Sequence, residues 1–491
     1  EAQDAARASL DRFLQLQRHG GWHDFYQWPT YEPAEWGWIG RGVNLWFVTN
    51  RQAGELLLRA WRLWGDDRYL EAAYELAEMY EKTQLPNGGW NFHYALVRGV
   101  LVPHSQKAMI AQEMQSNPIR FLAFFAALTK DARALAALRE SVGFYVGSQG
   151  AGGWWGWRPT TGAPSGPPAL NDAVTSQAIE DLLVLYAVTG DARCLDAMRR
   201  AAEWILRVQL PAPTFGWAEA YSEADEKPAW NRDFEPPAVS MEAISSAARV
   251  LFMMYDVTGD ARYLRPLRQT AAWLKSVPEA QRGWVWYDLD TQKPIVGWKQ
   301  KIYTVDDPLA KSEILEALRG YGLHYQWPQE MIEAGLAARD AAGRLYPADA
   351  EQLTPTRVNG AWVPRGANQS RNWLPRASFA GSTSSRSASP FPADAVKSLR
   401  AWLGGATSAV IPDAETYYDS YLIVNGRYEG RQFQPMEALR LTGQLLDWIE
   451  RTEKNGGDAS VPPQPRYDPH FWGAWTYAYP DRDLYDIPLA R

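Results

Sequence analysis

Gln84-Leu85-Pro86-Asn87-Gly88-Gly89-Trp90 ends one helical stretch and opens a loop. The same grammar of helix, glycine and tryptophan returns four more times. It stands at Gln17-Arg18-His19-Gly20-Gly21-Trp22, at Gln149-Gly150-Ala151-Gly152-Gly153-Trp154, from Gln209 to Gly216-Trp217, and at Gln281-Arg282-Gly283-Trp284. Trp22, Trp90, Trp154, Trp217 and Trp284 lie 68, 64, 63 and 67 residues apart. A fixed period of this kind marks a chain built from repeated supersecondary units.

A second mark alternates with the first. Gly65-Asp66-Asp67, Lys130-Asp131, Gly190-Asp191 and Gly259-Asp260 each separate two helical patterns. Glycine suits the residue after a helix and aspartate suits the N-cap of the next, so these are short helix–helix turns. Each period then holds two antiparallel helices of about 15 to 20 residues, with apolar residues at helical spacing such as Ala201, Ile205 and Val208 beside Trp204. Few strand-like alternations occur before residue 280. Paired helices of this size close into an (α/α) toroid or stack as an open solenoid, and the length favours closure. The expected fold class is therefore all-α, a toroid of about six helical hairpins. Its core spans residues 1–325. Residues 326–491 supply closing helices, a Ser/Arg-rich loop and a wrapping tail of the same domain.

The geometry sorts the loops. The tight Asp turns fall at one end of the helices and the long Gly–Trp loops at the other. Trp22, Trp28, Trp36, Trp38, Trp90, Trp154, Trp155, Trp157, Trp217, Trp230, Trp284 and Trp286 are expected on a single rim. Long loops on a rigid scaffold carry function, and indoles stack on sugar rings. Trp90, Trp154, Trp155, Trp157, Trp217, Trp230 and Trp284 are thus candidate sugar-binding residues, with wedging between helices as their structural explanation. The chain holds 25 Trp, more than a core needs, because each buried indole N–H demands a partner.

Composition excludes several classes. A net charge of −7 leaves no basic excess for nucleic acid. No apolar run is long enough for a membrane span. The lone Cys194 sits in a helical pattern and reads as a small core residue, without disulfide or zinc spacing. The sequence begins at Glu1 without Met, so removal of an upstream segment is expected, and with it a secreted or periplasmic location.

The middle of the chain resembles the pectate lyases of polysaccharide lyase family 10. The similarity runs over about 200 residues, from Asn117-Pro118-Ile119-Arg120-Phe121-Leu122-Ala123, through Gly152-Gly153-Trp154 and Asn171-Asp172-Ala173, to Trp230-Asn231-Arg232-Asp233-Phe234-Glu235-Pro236-Pro237, with Ser240 and Glu242 after it. It continues at Trp273-Leu274, Trp286-Tyr287-Asp288 and Lys293-Pro294-Ile295. The resemblance implies an (α/α) toroid that cleaves uronate chains by β-elimination, in which calcium and arginines neutralise the uronate carboxylate and an arginine removes the C5 proton. It places the base on Arg232 and a further arginine on Arg319. Asp172 and Glu113 become the candidate calcium ligands. Where the family carries an acidic cluster, however, this chain reads Gln112-Glu113-Met114-Gln115-Ser116, and the family's double Asp is the single Asp172. Lysines or arginines, Lys299 among them, could supply the missing charge.

The chemistry explains the residue types. The C5 proton is weakly acidic until its carboxylate is neutralised, and stabilising developing charge is usually the largest catalytic contribution. Arginine is an awkward base and needs desolvation and nearby cations to lose its proton; a salt bridge from Arg232 to Asp233, Glu235 or Asp225 is its structural alternative. His93 and His104 offer a conventional base, His93 with Tyr94 and Asn171 as a His/Tyr/Asn set, and Tyr303 is a further candidate. Asp172 could instead cap the helix that follows it. Two other classes compete: a glycoside hydrolase using a pair from Asp172, Glu219, Asp225, Asp233 and Glu235, and a non-catalytic glycan-binding protein. A terpene cyclase shares the spacing from Gln84 to Trp90 but would need an Asp-rich motif that is not evident.

Overall fold

The computed structural model describes residues 1–23, 26–27, 42–45, 49–111, 114–157, 166–318, 323–325, 327–343, 355–358, 361–364, 393–403, 432–433 and 435–454. Trp28, Trp36, Trp38, Glu113 and Arg319 fall outside these residues. So do most of the Ser/Arg-rich loop and the tail.

Twelve helices of eleven residues or more occur among the described residues: α1 (Ala2–Leu16), α2 (Thr49–Trp64), α3 (Asp67–Thr83), α4 (Ser116–Thr129), α5 (Ala132–Ser148), α6 (Val174–Thr189), α7 (Arg193–Arg207), α8 (Met241–Thr258), α9 (Leu264–Ser276), α10 (Gln329–Ala342), α11 (Ala393–Leu403) and α12 (Pro435–Lys454). The first nine alternate between two environments. α6 is buried on every side from Val174 to Val188, and α2, α4 and α8 are nearly so. α3, α5, α7 and α9 bury a single stripe, in α7 Cys194, Met198, Ala201, Ala202 and Ile205. A helix apolar all round belongs inside and one with a single apolar stripe lies on the surface. α2, α4, α6 and α8 accordingly pack side by side as an inner row, with the others outside.

The last three helices extend the row at its two ends. α10 continues beside α9 and α8, joined by Arg268–Asp340 at 2.5 Å and by Arg339–Asp256 at 2.5 Å. α11 and α12 pack on α1, and α12 also packs on α2. The Ser9 and Thr442 hydroxyls meet at 2.7 Å across this seam. The fold is an (α/α) toroid, and the twelve long helices among the described residues agree with the expected six or so hairpins.

Both sequence marks have a local cause. Asp66, Asp131, Asp191 and Asp260 each accept a hydrogen bond from a backbone N–H two residues on, as N-caps do. The Gly–Trp loops are staples between consecutive outer helices. The Gln84 side-chain amide donates to Gly88 O at 2.8 Å and to Ala137 O of α5 at 2.9 Å; Gln17 does the same toward Ala72 of α3, and Gln149 toward Ala197 of α7. Gly88 sits at φ +86, and a Cβ there would overlap the Glu140 carbonyl, so only glycine lets the loop seat on α5.

The tryptophans complete the staple, which corrects the expected sugar-binding rim. Trp22, Trp90, Trp155 and Trp217 are wholly buried. Each donates its indole N–H to a last-turn carbonyl of the preceding outer helix: Phe13 at 2.8 Å, Tyr80 at 2.9 Å, Tyr145 at 2.9 Å and Ile205 at 2.8 Å. Phe13 O and Tyr80 O also accept from the N–H groups of Gln17 and Gln84, so there the indole adds a second donor to a carbonyl at the helix end. In the third loop this place is taken by Trp155, while Trp154 is buried against Gly150. Trp90, Trp154, Trp155 and Trp217 are thus packing residues, with no face open to a sugar.

As expected, strands before residue 280 are few and short among the described residues. β2 (Gly42–Asn44), β3 (His93–Val97) and β4 (Val100–Pro103) form an antiparallel sheet, in which Arg98-Gly99, both at positive φ, make the two-residue turn from β3 to β4. A second sheet orders β5 (Val239–Ser240), β6 (Trp286–Tyr287), β7 (Pro294–Trp298) and β8 (Lys301–Thr304). β1 (Tyr26–Gln27) pairs with β11 (Gln432–Phe433), and the hairpin of β9 (Pro355–Val358) and β10 (Ala361–Pro364) lies along α6 and α4. No helix among the described residues is long and apolar enough to cross a membrane.

Candidate active site

At the Gly–Trp end, the loop before α6 meets the loop before α8. Asp172 and Ala173 precede α6 with φ of 46 and 59, two consecutive non-glycine residues in the left-handed region. Such backbone costs about 1–3 kcal/mol per residue and persists where the surroundings enforce it. Here the enforcement is visible. The Asp172 N–H donates to Glu242 in the first turn of α8, and the Asn171 and Leu170 N–H groups donate to Glu219 O at 3.2 and 2.7 Å. Asp172 is therefore not a helix cap; its fully buried carboxylate is turned toward Arg232.

Arg232 is the centre of the cluster. Its Nη2 lies 2.6 Å from Asp172 Oδ2 and its Nε 3.0 Å from Glu235 Oε2. The guanidinium stands 4.9 Å from the Trp157 ring and 5.5 Å from the Phe234 ring, and 35% of its side chain remains exposed. Asn231 Nδ2 donates to Glu235 at 2.6 Å, and the Trp157 indole donates to Asn171 Oδ1 at 3.0 Å. Behind them Glu219 accepts from Ser240 Oγ and from the Trp286 indole, each at 2.7 Å. The loop carrying Arg232 is tied to the β7–β8 hairpin, where Gln300 N–H donates to Asp233 O at 2.7 Å and Trp230 packs on Gly297.

The electrostatics follow from four carboxyl groups around one guanidinium. Burial alone would lower the Arg232 pKa, but the negative field of Asp172, Glu235, Glu219 and Glu242 more than reverses this and raises it. The surrounding carboxylates favour its charged form, whereas a base would need neighbouring cations. Burial raises Glu219 and Glu235 above the ordinary carboxylate range, against the opposing pull of their hydrogen-bond and Arg232 partners. Glu242 is raised as well, by burial and then by its acidic neighbours.

Of the two expected calcium ligands, Glu113 lies outside the described residues. Asp172 spends its Oδ2 on Arg232, and no three His, Cys, Asp or Glu side chains among the described residues converge as ligands.

The remaining expected residues scatter. Asn171 and Trp157 join Arg232, and Trp230 lies half-buried on the adjoining hairpin. Lys299 caps the β7–β8 turn, 5.5 Å above Trp298, and Tyr303 is half-buried on β8. Trp284 lies against His324, ring centroids 4.5 Å apart and planes tilted by 42°. His93 is buried in the β2–β3–β4 sheet, and Tyr94 spends its hydroxyl on Thr83 O and Asn91 N–H, so the His/Tyr/Asn set is not assembled. His104 packs edge-on against Phe92 at 5.7 Å.

Sequence reasoning missed Glu242 as a member of the site and missed three charged residues on the inner helices. Arg120 of α4, at 3.2 Å, and Arg249 of α8 both bind the Glu180 carboxylate of α6. A charge in the middle of an otherwise apolar helix, as in Ile119-Arg120-Phe121, was the available signal.

Neither family models nor curated proteins match the sequence. Among solved structures, the chain is similar to a family 10 polysaccharide lyase from Cellvibrio cellulosa, with 18% identity over 60% of this chain and 97% of that one and a TM-score of 0.44. It is similar to cellobiose 2-epimerase from Bacillus thermoamylovorans, with 11% identity over 91% of this chain and 99% of that one and a TM-score of 0.43. It is also similar to an α-1,6-mannanase of Salegentibacter, with 14% identity over 57% of this chain and 72% of that one and a TM-score of 0.35.

Proposed function

We propose that this protein is a polysaccharide lyase that cleaves an acidic, uronic-acid-containing polysaccharide by β-elimination, and that it works outside the cytoplasm, secreted or periplasmic, where such polymers are met. The observation that carries this reading is Arg232. It is held charged and oriented by Asp172 and Glu235, laid over Trp157, and left partly open to solvent. A fixed guanidinium in that setting binds a uronate carboxylate and stabilises the enolate that forms when C5 loses its proton. Glu235, on the same guanidinium, is the candidate base, because a carboxylate with a raised pKa is a stronger base than an ordinary one. It takes the C5 proton, the electron pair becomes the C4–C5 double bond, and the glycosidic oxygen leaves with a proton from solvent. Trp157, Trp230 and Phe234 border the sugar, and the resemblance around Trp230 to Pro237 points the same way.

The crowd of protonatable carboxyls also suits a glycoside hydrolase, which needs two of them flanking the bond. One experiment separates the readings. The protein is incubated with a panel of uronate polysaccharides, with and without chelator. The lyase reading expects ultraviolet absorbance from unsaturated uronate ends, unaffected by chelator. New reducing ends without that absorbance would establish the hydrolase instead.

A further inference from the structure

The fourth Gly–Trp loop is longer than its counterparts. Gln84 to Trp90 and Gln149 to Trp155 span seven residues each, whereas Gln209 to Trp217 span nine. Between the outer helices α7 and α9, the longer loop borders a cavity of about 420 Å³ that is open to solvent. Leu210, Pro211 and Phe215 of the loop line it, with Leu206 of α7 and Arg265 and Gln269 of α9. This volume falls within the range of small-molecule sites, about 300–1,000 Å³. Phe215 is half-buried there and fixed at a φ of 45. Its N–H donates to Pro211 O at 3.2 Å, and its carbonyl accepts from the Gln209 amide at 2.8 Å and from Thr270 Oγ1 at 2.5 Å.

One charge at this cavity has no counter-charge. Arg262, which also lines it, is bound by Glu203 at 3.1 Å and by Asp260 at 2.8 Å. Arg265 is exposed, and its guanidinium has neither an ion pair nor a hydrogen bond among the described residues. Gln269 follows one helical turn later, so the two side chains share a face of α9, and its amide is likewise unengaged. We propose that this cavity is a second glycan-binding site, on the outer side of the ring, that takes one uronate residue. Arg265 holds the carboxylate, Gln269 a sugar hydroxyl, and Phe215 with Leu206 and Leu210 the C–H face of the ring. That the uronate belongs to the polymer cleaved at Arg232 rests on the lyase reading. A planar guanidinium fork matches a planar carboxylate, and a single uncompensated charge suits a monoanion. The apolar walls, which a bare inorganic anion would leave unused, suit a sugar ring. The same loop runs on through Trp217 to Glu219, so both sites lie at the Gly–Trp end.

The test is calorimetric and needs no turnover. D-glucuronate and D-galacturonate are titrated into the intact chain carrying Arg232→Ala, with D-glucose and inorganic sulfate as controls. The site predicts that the uronates still bind, and more tightly than either control. Adding Arg265→Gln, at an exposed position without an ion pair, should weaken them about tenfold, and adding Phe215→Ala should weaken them as well. In the wild type, Arg265→Gln should remove one of two uronate sites, a measurement independent of the Arg232→Ala fold. Absence of uronate binding in the folded Arg232→Ala protein, sulfate binding as tight as uronate, or uronate affinity unchanged by Arg265→Gln overturns the proposal. Uronate binding that depends on Arg265, in a protein yielding no unsaturated ends from any polysaccharide, would retain the site and reject the lyase reading. Unsaturated ends with uronate binding indifferent to Arg265 would do the reverse.

Discussion

The second and fourth Gly–Trp loops begin as the same object. In each, a glutamine amide ties the loop to the next outer helix, through Ala137 from Gln84 and Pro266 from Gln209. In each, a buried tryptophan, Trp90 or Trp217, donates to the helix it follows. In each, a tyrosine four residues later returns its hydroxyl to that helix end, Tyr94 to Thr83 O at 2.8 Å and Tyr221 to Val208 O at 3.1 Å. They then part. The second continues into the β3–β4 hairpin. The fourth contributes Glu219 two residues after Trp217 and then the segment carrying Asn231, Arg232 and Glu235. Shared residues hold the ring together, and the candidate chemistry sits where one copy leaves the repeat.

The comparison breaks first at the tryptophans. Trp90→Ala and Trp217→Ala should each destabilise the protein by about 3–5 kcal/mol, the loss typical of a large buried aromatic, read by denaturant unfolding. Glycan affinity of the folded variants should be unchanged; a selective loss of affinity at native stability would return these indoles to the substrate. Gln84→Ala removes two hydrogen bonds to backbone carbonyls and should cost about 1–3 kcal/mol with activity intact.

The repeat was legible because capping and turn chemistry act over a few residues. Asp131 and Gly190 announce a helix boundary wherever they stand. The fate of an indole is not local. Trp90 is buried because Gly88 seats its loop on Glu140, more than fifty residues away in sequence, and nothing in Gly88-Gly89-Trp90 says so. The same holds for Trp154 and Trp155, adjacent residues of which only the second reaches the helix end. Arg232 was found through its neighbours in sequence, but the carboxyl groups gathered round it were not, because Asp172 comes from another loop and Glu242 from the first turn of α8.

Two smaller effects sharpen the contrast. Asp181 has a folded pKa of about 7 against an ordinary 3.8. A raised carboxyl pKa contributes stability that is complete below the unfolded value and lost as pH rises through the folded one. Stability should thus fall between about pH 4 and 7, with a slope of up to about 1.4 kcal/mol per pH unit from this proton. Asp181→Asn should flatten that slope, as measured by denaturant unfolding across the range; an unchanged slope removes Asp181 as its source. Asp131→Ala, at the opposite end of the ring, should cost about 0.5–2 kcal/mol as a lost N-cap and leave turnover untouched.

The most direct test falls on Arg232. On a uronate polysaccharide that the wild type degrades, formation of unsaturated ends is followed by absorbance for the wild type, Arg232→Lys and Arg232→Ala, with glycan binding measured alongside. The account predicts a loss of about 10²-fold or more for Arg232→Ala with binding largely kept, partial recovery in Arg232→Lys, and an acid limb of the wild-type pH profile lying above the ordinary carboxylate range, as Glu235 requires. A folded Arg232→Ala protein turning over at the wild-type rate would contradict it.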